Sequence, residues 1–188
     1  MGLNETVTIK TFNPLKNGTM SSKFKPDKAA VEKILNSPYF IKPPPKSTGR
    51  DDFPIQNLLE VTSERGPKLV STATEITAAS IANAYQNLIK QSKIDSIYFC
   101  GGGAKNQELL RRIKSKITLF SPSCLVKTLE EVGFDSQKTE AEAFAYLGFL
   151  SLIGHELGGS WTGGRSLAPS GMITPGQNWN EILDAIAP

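Results

Sequence analysis

The residues with the most chemical potential in this chain are Phe99-Cys100-Gly101-Gly102-Gly103-Ala104-Lys105-Asn106, where an apolar run meets a helical pattern. Glycines at such a junction let the backbone take positive φ and let a ligand approach the main chain without meeting a Cβ. The helix start that follows presents free N–H groups and partial positive charge, suited to a phosphate or another polar ligand. Asn106 can cap that helix or hydrogen-bond a ligand. The spacing is neither the G-x-G-x-x-G of a dinucleotide site nor a P-loop, which needs a Lys-Ser/Thr pair after its last glycine, so a plain Rossmann-type binder fails. A tight turn that only lets the helix pack would use the same residues, and both readings stand at this point.

The other candidates are weaker. Lys46-Ser47-Thr48-Gly49-Arg50 reads by composition as a solvated loop. Asp51 and Asp52 follow Gly-Arg rather than a strand and receive no catalytic role. His155 follows the helix stop Gly154 and reads as a surface residue. With 2 Cys and 1 His there is little material for a Cys/His zinc site, and no metal ligands are assigned. Cys100 and Cys124 sit in apolar runs and read as buried thiols of a reducing, cytoplasmic setting. Arg111, Arg112, Lys114 and Lys116 form a basic helix face without neighbouring aromatics for base stacking. The net charge, 21 − 18 = +3, is also low for a nucleic-acid binder, so none is expected. No apolar run approaches the ~18 residues of a membrane span, and no membrane partner is expected.

The elements that would position these residues follow from periodicity. Residues 1–26 are expected as an arm of uncertain order, with a short strand at Val7–Ile9 and a turn at Asn17-Gly18. Asp27 caps a short helix carrying Val31, Ile34 and Leu35, which Asn36-Ser37-Pro38 ends. Pro43-Pro44-Pro45 is extended, and Pro54 opens a helix carrying Ile55, Leu58 and Leu59. A long helix over 69–92 shows Ala73, Ile76, Ser80, Ala84, Leu88 and Ile89 along one face. Ile97–Cys100 reads as a central strand buried on both faces. A helix over 108–117 points Leu109, Leu110, Ile113 and Ile117 inward and its basic residues outward, and Cys124–Val126 is the next strand. Strand, glycine turn, helix and strand make a βαβ unit. The helix over 138–153 is apolar nearly all round and is expected to lie deeply buried. A final short helix spans 179–186. The fold class is α/β in one domain of ordinary size.

Taken together the motifs resemble the anhydro-N-acetylmuramic acid kinase family. Gly101–Asn106 looks like its G-G-G-A-x-N element, and Pro38-Tyr39-Phe40 with Pro43–Arg50 resembles its P-Y-F…P-P-K-S-T-G-R signature. Glu140-Ala141 with Phe144-Ala145 is similar to its E-A-x-x-F-A helix. Thr162-Gly163-Gly164 and Gly171–Gly176 resemble its closing T-G-A and G-x-I-x-P-G segments. Order and spacing agree from about Asn17 to Gly176.

The resemblance implies a ribonuclease-H-like, actin-like ATPase C-terminal lobe over 27–188, with a central mixed sheet flanked by helices. It implies ATP or ADP as ligand on Gly101, Gly102, Gly103 and Asn106, and Glu140 near the sugar. Lys46, Ser47, Thr48, Arg50 and Thr162 match signature positions without individual roles, and Gln137 departs from a usually acidic position. The family's G-T-S-x-D-G phosphate loop and the D-T-G-P-G-N element with its catalytic Asp do not occur in this sequence. The expected function is therefore the nucleotide-binding C-terminal half of an ATP-dependent sugar kinase that opens a 1,6-anhydro ring. It would be inactive alone, and would meet the amino sugar and Mg²⁺ only with a complementary N-terminal lobe. The alternative is a non-catalytic interaction or regulatory protein that keeps the lobe's fold, which the Met1 start favours. A partly apolar interlobe face would favour self-association.

Overall fold

A computed structural model describes residues 17–44, 46–91, 94–157, 169 and 171–186. Val7–Ile9, Pro45 and Thr162–Gly164 lie outside the described residues. Two compact units divide the chain, the first from Met1–Lys42 and Thr48–Ser136, the second from Pro43–Ser47 and Gln137–Pro188.

The first unit is built on α5 (Gly66–Gln91) and α6 (Gln107–Phe120). Before α5 come α1 (Thr19–Ser22), α2 (Lys28–Leu35), α3 (Pro38–Ile41) and α4 (Ile55–Leu59). Asp27 caps α2 as its sequence predicts, Ala30 N–H donating to Asp27 Oδ1 at 3.1 Å. Thr62 Oγ1 donates to Asp27 Oδ2 at 2.7 Å, and with the cap this holds the Asp27 carboxyl below its usual range. Strand β1 (Ser96–Phe99) pairs in parallel with β2 (Leu125–Thr128), Ser96 opposite Leu125 and Phe99 opposite Thr128. The βαβ unit is thus present, with α6 as the crossover. Among the described residues the sheet has these two strands, so what stands is a helix-rich α/β unit with a small parallel sheet. Ala78, Ala82, Ile97, Ile113 and Ile117 form the core, with Tyr85, Ile89, Phe99 and Val126 packed around it. Alanines on α5 let α6 and β1 approach closely.

Burial departs from the sequence pattern on α5 and β1. On α5 the most buried positions are Ser71, Thr72, Ala78, Ala79 and Ala82, while Ala84 and Leu88 of the predicted face are exposed. Both faces repeat at helical spacing, and packing against α6, which spacing does not encode, selected the more polar one. On β1, Ile97 is buried under the helices, but Tyr98, pointing to the other face, is 45% exposed. Among the described residues the strand is covered on one side, not two. Cys100 is exposed, because it lies beyond the last ladder residue; Cys124 is half-buried, and burial raises its thiol pKa.

The second unit carries α7 (Ser136–Leu152) and α8 (Trp179–Ile186). α7 ends as predicted at Gly154, whose φ is +72°. His155 N–H donates to Leu150 C=O at 2.8 Å and Gly154 N–H to Ser151 C=O at 3.2 Å, a Schellman closure. The expected deep burial of α7 is not found: Phe144 is 72% exposed, and Tyr146, Leu147 and Phe149 are exposed as well. A helix that is apolar on every side has no solvent face to orient it, so its burial depends on neighbours its own sequence does not specify.

Candidate functional site

The glycine loop leaves β1 through Gly101, whose φ of +77° and ψ of −176° belong to a region that in practice only glycine occupies. The chain then makes a single 3₁₀ turn, Gly102–Lys105. Ala104 N–H donates to Gly101 C=O at 3.1 Å and Asn106 N–H to Gly103 C=O at 3.0 Å. The first N–H groups of such a turn, on Gly102 and Gly103, precede any acceptor within it. Gly102 and Gly103 take no positive φ, and a Cβ built on either meets nothing within 4 Å. The fold therefore requires glycine at 101 and not at 102 or 103. Asn106 is the N-cap of α6: its Oδ1 accepts from Leu109 N–H at 3.0 Å and its C=O from Leu110 N–H at 3.0 Å. Its Nδ2 has no acceptor among the described residues. The loop thus offers an unshielded backbone, the Gly102 and Gly103 N–H groups, without acceptors among the described residues, and one side-chain amide donor where the 14-residue helix begins.

What backs this loop is a polar network that the sequence did not announce. Asn17 and Gly18 turn with φ of +63° and +76°. Ser21, only 1% exposed, donates its hydroxyl to Gly18 C=O at 2.9 Å. Arg112, expected to point outward, is 7% exposed. Its Nη2 donates to Ser21 C=O and Ser71 Oγ, its Nη1 to Ser71 C=O and Glu75, and its Nε to Glu108 Oε1 at 2.7 Å. Arg111 also donates to both Glu108 oxygens, at 2.7 and 2.8 Å. Those hydrogen bonds, Arg111's first and then Arg112's, hold the Glu108 carboxyl down to about 2 against the desolvation that opposes them. Lys116 pairs with Glu75. The basic face is thus partly an internal ion-pair network, since buried charge is tolerated only when fully paired. A Glu-x-x-x-Arg spacing at 108 and 112 was the available signal, and it reads equally as a surface pair.

The remaining predicted residues have surroundings of their own. Thr48 Oγ1 donates to Asp52 Oδ2 at 2.8 Å and Gly49 N–H to the same oxygen at 2.6 Å. Asp52 therefore staples the signature segment, and these bonds lower its pKa, Gly49 contributing most. Lys46 is half-buried and Ser47 exposed. Glu140 is exposed on α7, in the second unit, and His155 is exposed beyond the helix stop. No group of three His, Cys, Asp or Glu side chains gathers among the described residues. No helix among them is long and apolar enough to cross a membrane.

The family model described as Anhydro-N-acetylmuramic acid kinase matches residues 7–176. An anhydro-N-acetylmuramic acid kinase of Crocosphaera subtropica is 38% identical over 156 residues, covering 77% of this chain and 38% of the relative. The enzyme of that name from Idiomarina loihiensis is 37% identical over 144 residues, covering 74% and 37%. That from Gloeobacter violaceus is 32% identical over 157 residues, covering 81% and 40%. The chain spans about two fifths of the length of these curated relatives.

Proposed function

Because the chain belongs to the anhydro-N-acetylmuramic acid kinase family, we propose that it is the nucleotide-binding C-terminal portion of such a kinase. In this reading 27–188 is an actin-like ATPase lobe of ribonuclease-H type, preceded by an arm over 1–26 that is hydrogen-bonded to it through Ser21 and Phe24. Gly101, Gly102, Gly103 and Asn106 hold the adenosine side of ATP, and Glu140 faces the amino sugar. The observation that carries the reading is glycine at 102 and 103 where neither φ nor crowding demands it. A packing turn has no use for two missing side chains in open space, whereas a ligand laid on the backbone does. Glycine there also costs about 0.5–1 kcal/mol each in chain entropy, which makes it an unfavourable default.

ATP fits the donor set here, which is made of N–H groups and one amide and carries no carboxylate that would repel phosphate at the turn itself. The phosphates and their Mg²⁺ would be shared with a complementary N-terminal lobe, since Mg²⁺ is held mostly by phosphate oxygens, water and one or two carboxylates. In the complete enzyme this chain's residues would bind and orient the nucleotide, and the complementary lobe would supply the base that activates water.

The test is a titration of the ¹⁵N-labelled chain with ATP. Shifts confined to Gly101–Asn106 in the millimolar range are expected, lost in Gly102→Val, with no sugar phosphorylation by the chain alone. Addition of a relative's N-terminal lobe is expected to restore turnover. Unchanged binding by Gly102→Val would make the loop a packing turn. Binding without complementation by several folded lobes would leave the non-catalytic alternative.

A further inference from the structure

Gly18 lies far from the glycine triplet in sequence, yet it is far more tightly enclosed than Gly102 or Gly103. A methyl group built on it would overlap Asn106 Oδ1 and stand 2.8 Å from Glu108 Cβ and 3.0 Å from Asn106 Cγ. Its φ of +76° independently favours glycine. The turn it forms is held from behind: Ser21 Oγ ties to Gly18 C=O, and Ser21 C=O accepts from Arg112, which also grips Glu108 on α6. The circuit closes on the first turn of α6, where Asn106 Oδ1 caps Leu109 N–H. Gly18 backbone lies against the Oδ1 side of the Asn106 amide, with Oδ1 turned to the helix and Nδ2 without an acceptor among the described residues.

We infer that the Asn17-Gly18 turn is a positioning element for nucleotide binding, in which Gly18 fixes the Asn106 amide so that Oδ1 caps α6 while Nδ2 stays available to a ligand acceptor. This rests on the nucleotide reading above and adds to it a division of labour within one side chain and a residue that enforces it. Gly18 touches no ligand; it acts through Asn106.

The test is a double-mutant cycle in the full chain with ATP as probe. Serine caps helices as well as asparagine but has no amide donor. Asn106→Ser is therefore expected to keep the slow exchange of the Leu109 amide while raising the ATP dissociation constant roughly two- to tenfold, the range for one lost hydrogen bond. Gly18→Ala should raise it at least as much in the parent and add little in the Asn106→Ser background, where the shorter side chain has already given up the contact. Strain from φ and the Glu108 contact occur in both backgrounds and cancel in the cycle. Should Gly18→Ala not fold, Ser21→Ala loosens the same turn without adding an atom and closes the same cycle at about twofold. ATP binding by Asn106→Ser equal to the parent overturns the inference. Equal effects of the turn variant in both backgrounds overturn it too, because the turn would then act through general stability. A parent with no ATP response overturns the functional reading and the Nδ2 role with it, while Leu109 exchange still reports whether Gly18 holds the cap.

Discussion

α6 and α7 reverse the usual relation between composition and burial. α6 is the more polar helix, and it buries Glu108 and Arg112 beside Ile113 and Ile117. α7 is the more apolar, and it exposes Phe144, Tyr146 and Phe149. The amphipathic helix carries its own orientation: one stripe goes to the core, and the charges at its edge go in with it when partners wait there. The helix that is apolar nearly all round past its first turns has no preferred side there, so its fate rests on what is brought to it.

The largest test of that contrast removes Arg112. Arg112→Ala strips the Ser21 and Ser71 carbonyls of their side-chain donor and leaves Glu108 to Arg111 and Glu75 to Lys116 alone, and is expected to cost roughly 3 kcal/mol in chemical denaturation, the lower end for broken buried pairs. A loss below 1 kcal/mol would mean that the network is a surface ornament and that α6 is held by its isoleucines alone.

A smaller effect is expected from acid. The Glu108 carboxyl is depressed from 4.5 to about 2, so the unfolded chain takes up its proton at higher pH than the folded one. The stabilisation is present above the ordinary glutamate range and is lost as pH falls from about 4.5 towards 2, on the order of 2 kcal/mol. Glu108→Gln should flatten that part of the stability–pH curve, and a parent-like slope would assign the acid sensitivity to other carboxylates.

The smallest effect belongs to α7. Phe144→Ser should change the stability of the chain alone by no more than about 0.5 kcal/mol, as for an exposed position. A loss of 2 kcal/mol or more would show the ring buried and erase the contrast.

Much of the candidate site's framework was legible because its signals are local. Gly101 at a strand end, Asn106 before an amphipathic run and the stop at Gly154 are read from one or two neighbours each, and each does what its neighbours imply. The brace was not legible. Gly18 and Asn106 are 88 positions apart, and Arg112 reaches Ser21 across 91. No periodicity links residues at such separations.

The sequence by itself determined the types of the longer elements, the βαβ order, the glycine turn and the family signature, because backbone propensity and capping act within a few residues. Which face of α5 is buried, whether Arg112 points in or out, and why glycine must stand at 18 were decided only by tertiary structure. Those outcomes depend on close packing and on pairing buried charge, and both are settled between segments that meet only when the chain has folded.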